Sequence, residues 1–287
     1  MTTYATRLSS WILTLTCFTL LAQAQQNWEN PVKKQLREGK PVVGLTVTIP
    51  SPDVALQAAR LGFDFIWIEM EHSGITLESL RSIILATNGT ACMPITRVPV
   101  NELWTAKRAL DAGSMGVIFP FTSTPELARQ AVAACHYPPL GLRGFGPGLA
   151  SLRWPAPEGY RAFADENVLV VVIIEQAQAV ERIEEIASVK GVDVLFIGPN
   201  DLSFSLGLQG RQDDPKLREA IAKVLAAGKK HGVAVGRTAG PEQIAGLIKQ
   251  GFQFFQASSE LGMMAAGSKS ILEAAGKTAP SKDRPMY

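Results

Sequence analysis

From residue 42 to about residue 275 the chain repeats one pattern eight times: a short apolar run, then a stretch of helical periodicity. The runs at 42–49, 65–70, 93–98, 117–120, 168–174, 192–197, 233–236 and 252–257 predict strands. Residues 168–174 are nearly unbroken Val and Ile, which suits a parallel strand buried on both faces. Helices are predicted at 53–61, 77–87, 102–110, 125–134, 181–189, 215–230 and 241–250, with a last segment through Met263 and Ile271. Gly62, Gly113, Gly191, Gly232 and Gly251 stand just before later strands, where a left-handed residue ends the preceding helix. An open doubly wound sheet competes, but it usually carries a glycine-rich phosphate turn after its first strand. Here Pro50-Ser51-Pro52-Asp53 follows instead. The pattern therefore predicts a (β/α)8 TIM barrel, an α/β fold, formed by residues 25–287 as one domain.

Two stretches break the alternation. Residues 136–160 hold five prolines and five glycines, an excursion long enough to serve a site or an interface. Residues 199–214 read as a second loop, and the tail from Lys277 reads as frayed. At the N-terminus, Arg7 is followed by an apolar run from Leu8 to Leu21 and by Ala22-Gln23-Ala24. That is the form of a cleavable signal peptide over residues 1–24, implying a secreted or periplasmic protein. Cys92 and Cys135 remain after cleavage and read as two buried thiols, with a bridge as the alternative. Lys and Arg total 28 against 26 Asp and Glu, with no basic tract, which argues against nucleic-acid binding. No apolar run reaches the roughly 18 to 20 residues of a membrane helix.

Active sites of such barrels lie at the C-terminal ends of the strands. The predicted strand ends carry Glu69-Met70-Glu71-His72, Thr96-Arg97, Glu175-Gln176, Asn200-Asp201 and Ser258-Ser259-Glu260. Two bare carboxylates such as Glu175 and Asp201 would raise each other's pKa, and a divalent cation between them removes that penalty. The bland alternative is that Glu175 caps a helix and Asp201 starts a turn. His72 is either a general base or a hydrogen-bonded structural residue. Arg97 either holds a carboxylate or enolate oxygen, or pairs with a rim carboxylate. Glu71 either orients the loop or holds metal-bound water. His136 and His231 lie at helix ends and suit cap or surface roles. No lysine stands at a strand end, which weighs against Schiff-base chemistry. No nucleophilic-serine, H-E-x-x-H, P-loop or paired C-x-x-C motif is present. Carbanion chemistry without lysine needs a metal as electron sink.

The ordered set Gly62-Phe63-Asp64-Phe65, Glu71-His72-Ser73-Gly74, Arg97-Val98-Pro99, Leu110-Asp111-Ala112-Gly113, Tyr137-Pro138-Pro139, Glu175 and Phe196-Ile197-Gly198-Pro199-Asn200-Asp201-Leu202-Ser203 resembles the HpcH/HpaI aldolase family. The resemblance covers roughly residues 30–275. It implies a barrel of the phosphoenolpyruvate/pyruvate type and a class II, carbon–carbon lyase acting through a pyruvate enolate. It also implies Glu175 and Asp201 as ligands of Mg2+, Mn2+ or Co2+, and His72, Arg97 and Asp111 as catalytic residues. Arg97, Asn200 and Asp201 are the implied substrate contacts. A homo-oligomer, hexamer or trimer, with C-terminal helices exchanged between subunits is implied too. Asp111 ends a helix near the opposite rim from His72, so their contact is easier if Asp111 comes from a neighbouring subunit. The loop after Gly144, Phe145-Gly146-Pro147-Gly148 and then Leu152-Arg153-Trp154, is looser than the family pattern, and two single positions depart from it. Glu69 stands where Asp is usual, and Ile173 where Gln is common. The resulting expectation is cleavage of a 4-hydroxy-2-oxo acid to pyruvate and an aldehyde. The alternatives are an oxo-acid decarboxylase, a CoA-ester lyase, or an exported oxo-acid-binding barrel without turnover.

Overall fold

A computed structural model describes residues 28–156 and 159–278, so the proposed leader lies outside the described residues. Eight parallel strands close into a barrel in sequence order, as predicted. They are β1 (Val42–Val47), β2 (Phe65–Glu69), β3 (Met93–Arg97), β4 (Gly116–Phe119), β5 (Leu169–Ile174), β6 (Val194–Ile197), β7 (Ala234–Thr238) and β8 (Phe254–Ser259). Among the described residues no helix is long and apolar enough to cross a membrane.

Side chains alternate along each strand, so every second residue faces the barrel axis. On β2 these are Phe65, Trp67 and Glu69, an order that runs from apolar to charged. Phe65 stacks on Phe254 with ring centroids 4.4 Å apart, and Trp67 packs on Phe196 at 4.9 Å. A Cβ at Gly44 would stand 2.1 Å from the Phe65 ring, so this strand position must lack a side chain. These aromatics fill the barrel and leave its polar layer at the C-terminal mouth. The N-terminal end is closed by α1 (Pro31–Arg37), whose cap Asn30 donates through Nδ2 to the Met115 and Asn167 carbonyls.

The outer helices follow the predicted order: α2 (Pro52–Arg60), α3 (Leu77–Ala86), α4 (Leu103–Asp111) and α5 (Pro125–Cys135). Gly232 and Gly251 end their helices at φ 70° and 107°, the left-handed geometry their positions predicted. The 136–160 excursion contains α6 (Ala150–Arg153), and α7 (Tyr160–Asn167) leads from it into β5. The helix predicted at 181–189 is instead two short turns, α8 (Ala177–Glu181) and α9 (Ile183–Ala187). The expectation of a plain loop at 199–214 is corrected. Pro199–Ser205 forms α10, started by a proline that lacks only an N–H the first turn leaves unpaired anyway. Then come α11 (Pro215–His231), α12 (Pro241–Gln250) and α13 (Glu260–Ala274). No residue of α13 is buried, and Leu261, Met263, Met264 and Ile271 are exposed on it.

Cys92 and Cys135 are free and buried, and burial pushes both thiols up to about 12. His136 Nδ1 lies 2.8 Å from the Val132 carbonyl, and His231 Nε2 lies 2.8 Å from Glu184 Oε2. Both histidines thus have the helix-end roles their positions suggested.

Candidate active site

Register brings the mouth together. Glu69 on β2 lies opposite Arg97 on β3, and both end their strands. Glu69 is buried, and both of its oxygens are used. Oε1 accepts from the backbone N–H groups of Glu71 (2.7 Å) and His72 (3.0 Å). Oε2 accepts from Arg97 Nε (2.6 Å) and Trp67 Nε1 (3.1 Å). One carboxylate therefore fixes both the His72 loop and the arginine. The sequence placed Glu69 at a strand end and marked it as a departure but gave it no role, because that role depends on a cross-strand neighbour 28 residues away.

Glu71, two residues on, has a different environment. Its Oε2 lies 2.9 Å from Arg97 Nη1 and 3.6 Å from His72 Nε2. That oxygen is buried with no aligned hydrogen-bond donor, so the guanidinium acts on it as a charge rather than through a directed bond. Burial pushes the Glu71 carboxyl up to about 7, with Glu69 and Asp201 adding to the rise and Arg97 opposing it. His72 itself is half exposed.

Glu175 follows β5 and is buried. Its Oε1 accepts the Phe121 N–H at 2.6 Å. A Cβ at Gly198 would stand 3.0 Å from Glu175 Cβ and 3.1 Å from Oε2, so the glycine after β6 makes room for this carboxylate. Ile173 Cγ2 lies beside the same position and offers no polar contact. Burial pushes Glu175 up to about 7 as well; Glu71 and Asp201 add to the rise, while the Phe121 N–H and Arg97 oppose it. Asp201 lies in the first turn of α10, exposed, and Asn200 Oδ1 accepts from Gln212 Nε2 at 3.1 Å.

The mouth thus gathers Glu69, Glu71, Glu175, Asp201, Arg97 and His72. Asp111 does not join them. It ends α4 at the opposite rim, where its Oδ1 accepts from the buried Arg143 Nη2 at 2.7 Å. Among the described residues no group of three or more His, Cys, Asp and Glu side chains is arranged to enclose a metal ion. Hard oxygen donors, among which Glu71 and Glu175 are pushed up first by burial and then by neighbouring carboxylates, with a buried Glu71 oxygen lacking an aligned donor, nonetheless fit a divalent cation held by few protein ligands.

The HpcH/HpaI aldolase/citrate lyase family profile matches residues 43–266. The chain belongs to this family. It is 36% identical over 253 residues to the 2-dehydro-3,6-dideoxy-6-sulfogluconate aldolase of Pseudomonas putida, covering 88% of this chain and 99% of that one. It is 38% identical over 209 residues to the 4-hydroxy-2-oxovalerate aldolase of Novosphingobium aromaticivorans, covering 71% and 79%. Among solved structures, an HpcH/HpaI aldolase/citrate lyase family protein from Burkholderia cenocepacia J2315 superposes with a TM-score of 0.80 at 34% identity, covering 86% of this chain and all of that one. Membership makes this HpcH/HpaI barrel a carbon–carbon lyase, with class II aldolase or lyase chemistry on oxo acids.

Proposed function

We propose that the enzyme cleaves a 4-hydroxy-2-oxo acid to pyruvate and an aldehyde and catalyses the reverse addition. The observation that carries this reading is the charge imbalance at the mouth, where Glu69, Glu71, Glu175 and Asp201 face Arg97. Glu175 and Asp201 are the residues that would hold Mg2+, Mn2+ or Co2+. Such a cation, when bound, supplies Lewis-acid polarisation of a 2-oxo carbonyl.

The remaining work falls to side chains of the chain itself. Glu69 and Glu71 engage Arg97 through Nε and Nη1, which leaves Nη2 for the developing enolate oxygen. The 4-hydroxyl proton passes to His72, the C3–C4 bond breaks, and its electron pair becomes the enolate opposite Arg97. The aldehyde departs, and a proton returned to C3 gives pyruvate. Asn200 and Asp201 border the substrate on the α10 side. Glu69 keeps acid–base group and arginine in register by holding both the His72 loop and the Arg97 side chain.

Asp111 enters this scheme from a second copy of the chain. Two observations support a homo-oligomer: α13 buries none of its residues, and Leu142, Phe145 and Leu152 stand exposed near the Arg143–Asp111 pair. Light scattering should then give a hexamer or trimer. Mixing the His72→Ala and Asp111→Asn variants should restore activity that neither shows alone; a monomer of full activity would refute the shared site. The signal-peptide reading belongs with this proposal: protein recovered from a periplasmic fraction should begin at Gln25, and one beginning at Met1 refutes it.

The direct test of the reaction is pyruvate release from a panel of 4-hydroxy-2-oxo acids with Mn2+ or Mg2+. EDTA-sensitive release of pyruvate and aldehyde in equal amounts is expected. Folded protein releasing no pyruvate from any of them would overturn the proposal.

A further inference from the structure

We propose that Phe121 forms the wall of the acceptor subsite and selects an uncharged aldehyde with an apolar body. This rests on the aldolase reading above and adds the class of its second substrate.

Phe121 follows β4 at φ 48°, a left-handed conformation that is a genuine outlier for a bulky residue. Such conformations persist where the surroundings over-determine them. Here the Phe121 N–H donates to Glu175 Oε1, and the next N–H, from Thr122, donates to the Ile173 carbonyl at 3.3 Å. Ser123 Oγ donates to Gln176 Oε1, and Asn101 Nδ2 donates to Thr122 Oγ1. The loop is thereby fastened to the loops after β3 and β5. Phe121 is nonetheless 48% exposed and is not among the residues packed on the core. Its own backbone N–H is the group bonded to the Glu175 carboxylate, at 2.6 Å. A strained backbone thus keeps a large apolar ring in the open beside the reacting centre.

The polar side chains of this loop next to Phe121 are already engaged. Thr122 Oγ1 is buried and donates to the Phe119 carbonyl, and Ser123 Oγ is taken by Gln176. The loops after β3, β4 and β5, residues 98–102, 120–124 and 175–176, contain no lysine or arginine. Arg97, at the end of β3, is already paired with Glu69 and Glu71. These three loops therefore offer the carboxylate of a charged aldehyde no cationic side chain of their own. The large apolar side chains that these loops leave open are Phe121 and Val100, the latter 41% exposed.

The test compares two four-carbon acceptors, butanal and succinic semialdehyde, with pyruvate and Mn2+ and the full protein. Wild type should prefer butanal in kcat/KM by about tenfold or more, the scale on which an apolar pocket discriminates. Phe121→Asn keeps the N–H and tolerates the left-handed backbone, and it should reduce that preference roughly tenfold through the KM for butanal. Phe121→Leu should retain most of it. Preference for succinic semialdehyde, or a ratio unmoved in Phe121→Asn, overturns the assignment. Pyruvate methyl exchange in D2O, which needs no aldehyde, is read on the same samples. Exchange with an unmoved ratio overturns the Phe121 assignment alone. No exchange with any metal overturns the aldolase reading and this inference with it.

Discussion

At the C-terminal mouth, Arg97 is shared by Glu69 and Glu71, with Glu175 and Asp201 beyond them. At the opposite rim, Arg143 pairs with Asp111 alone. Its guanidinium carbon lies 4.6 Å from the Tyr137 ring centroid and 5.7 Å from that of Tyr160. Both arginines are largely buried, but their charge balances differ. The Arg143 cluster is one cation against one anion, enclosed by aromatic faces that attract a cation. The Arg97 cluster has surplus negative charge that no protein group cancels, and two of its carboxyls are pushed up to about 7. Balanced burial serves the fold. Surplus buried charge costs stability and persists where a ligand completes it.

The largest expected effect breaks the mouth. Glu175→Gln should lower metal-dependent pyruvate exchange on the order of 10³-fold, since it removes a cation ligand and the charge that positions it. Its thermal stability in EDTA should not fall, because a repelling carboxylate is lost. An unchanged rate would mean that Glu175 holds no metal. Arg143→Ala should cost about 3 kcal/mol of stability in urea titrations, because it strands Asp111 and opens a buried space. Equal loss of stability in the two variants would erase the distinction between the clusters.

Glu69→Gln sharpens the comparison within the mouth. An amide keeps the shape but replaces one acceptor oxygen by a donor, so the loop and Arg97 compete for the oxygen that remains. We expect kcat to fall about 10²-fold, with Glu69→Asp recovering part of it, while the urea midpoint moves little. The smallest effect is in pH dependence. Folded Glu71 and Glu175 hold their protons up to about 7, whereas in the unfolded chain they release them near 4.5. The metal-free protein therefore loses stability as pH rises from about 4.5 through about 7, and levels off above. Metal must displace those protons, so the rise in Tm on adding Mn2+ should be larger at pH 8 than at pH 5.5. Equal shifts at both would place the metal away from these carboxyls.

Much of this was legible in the sequence because of strand period and helix punctuation. Eight apolar runs and their glycine stops specify the barrel, and a barrel turns the ends of its strands into one mouth. That is why Glu175, Asp201, Arg97 and His72 could be gathered from four separate stretches. What stayed hidden depends on three-dimensional partners. The four donors on Glu69 require the β2–β3 register and the Trp67 indole beneath it. The contact between Phe121 N–H and Glu175 requires a left-handed residue, and nothing in Pro120-Phe121-Thr122 signals one. Pro199 was the available signal for α10, since proline suits a first helical position, but the polar residues after it read as a loop.

The most direct test of the surplus-charge account is proton exchange at the methyl group of pyruvate in D2O, followed by NMR with EDTA, Mg2+ and Mn2+. Exchange should require the metal, be suppressed by EDTA and disappear in Glu175→Gln. Exchange equally fast in EDTA, or none with any metal in folded protein, would contradict it.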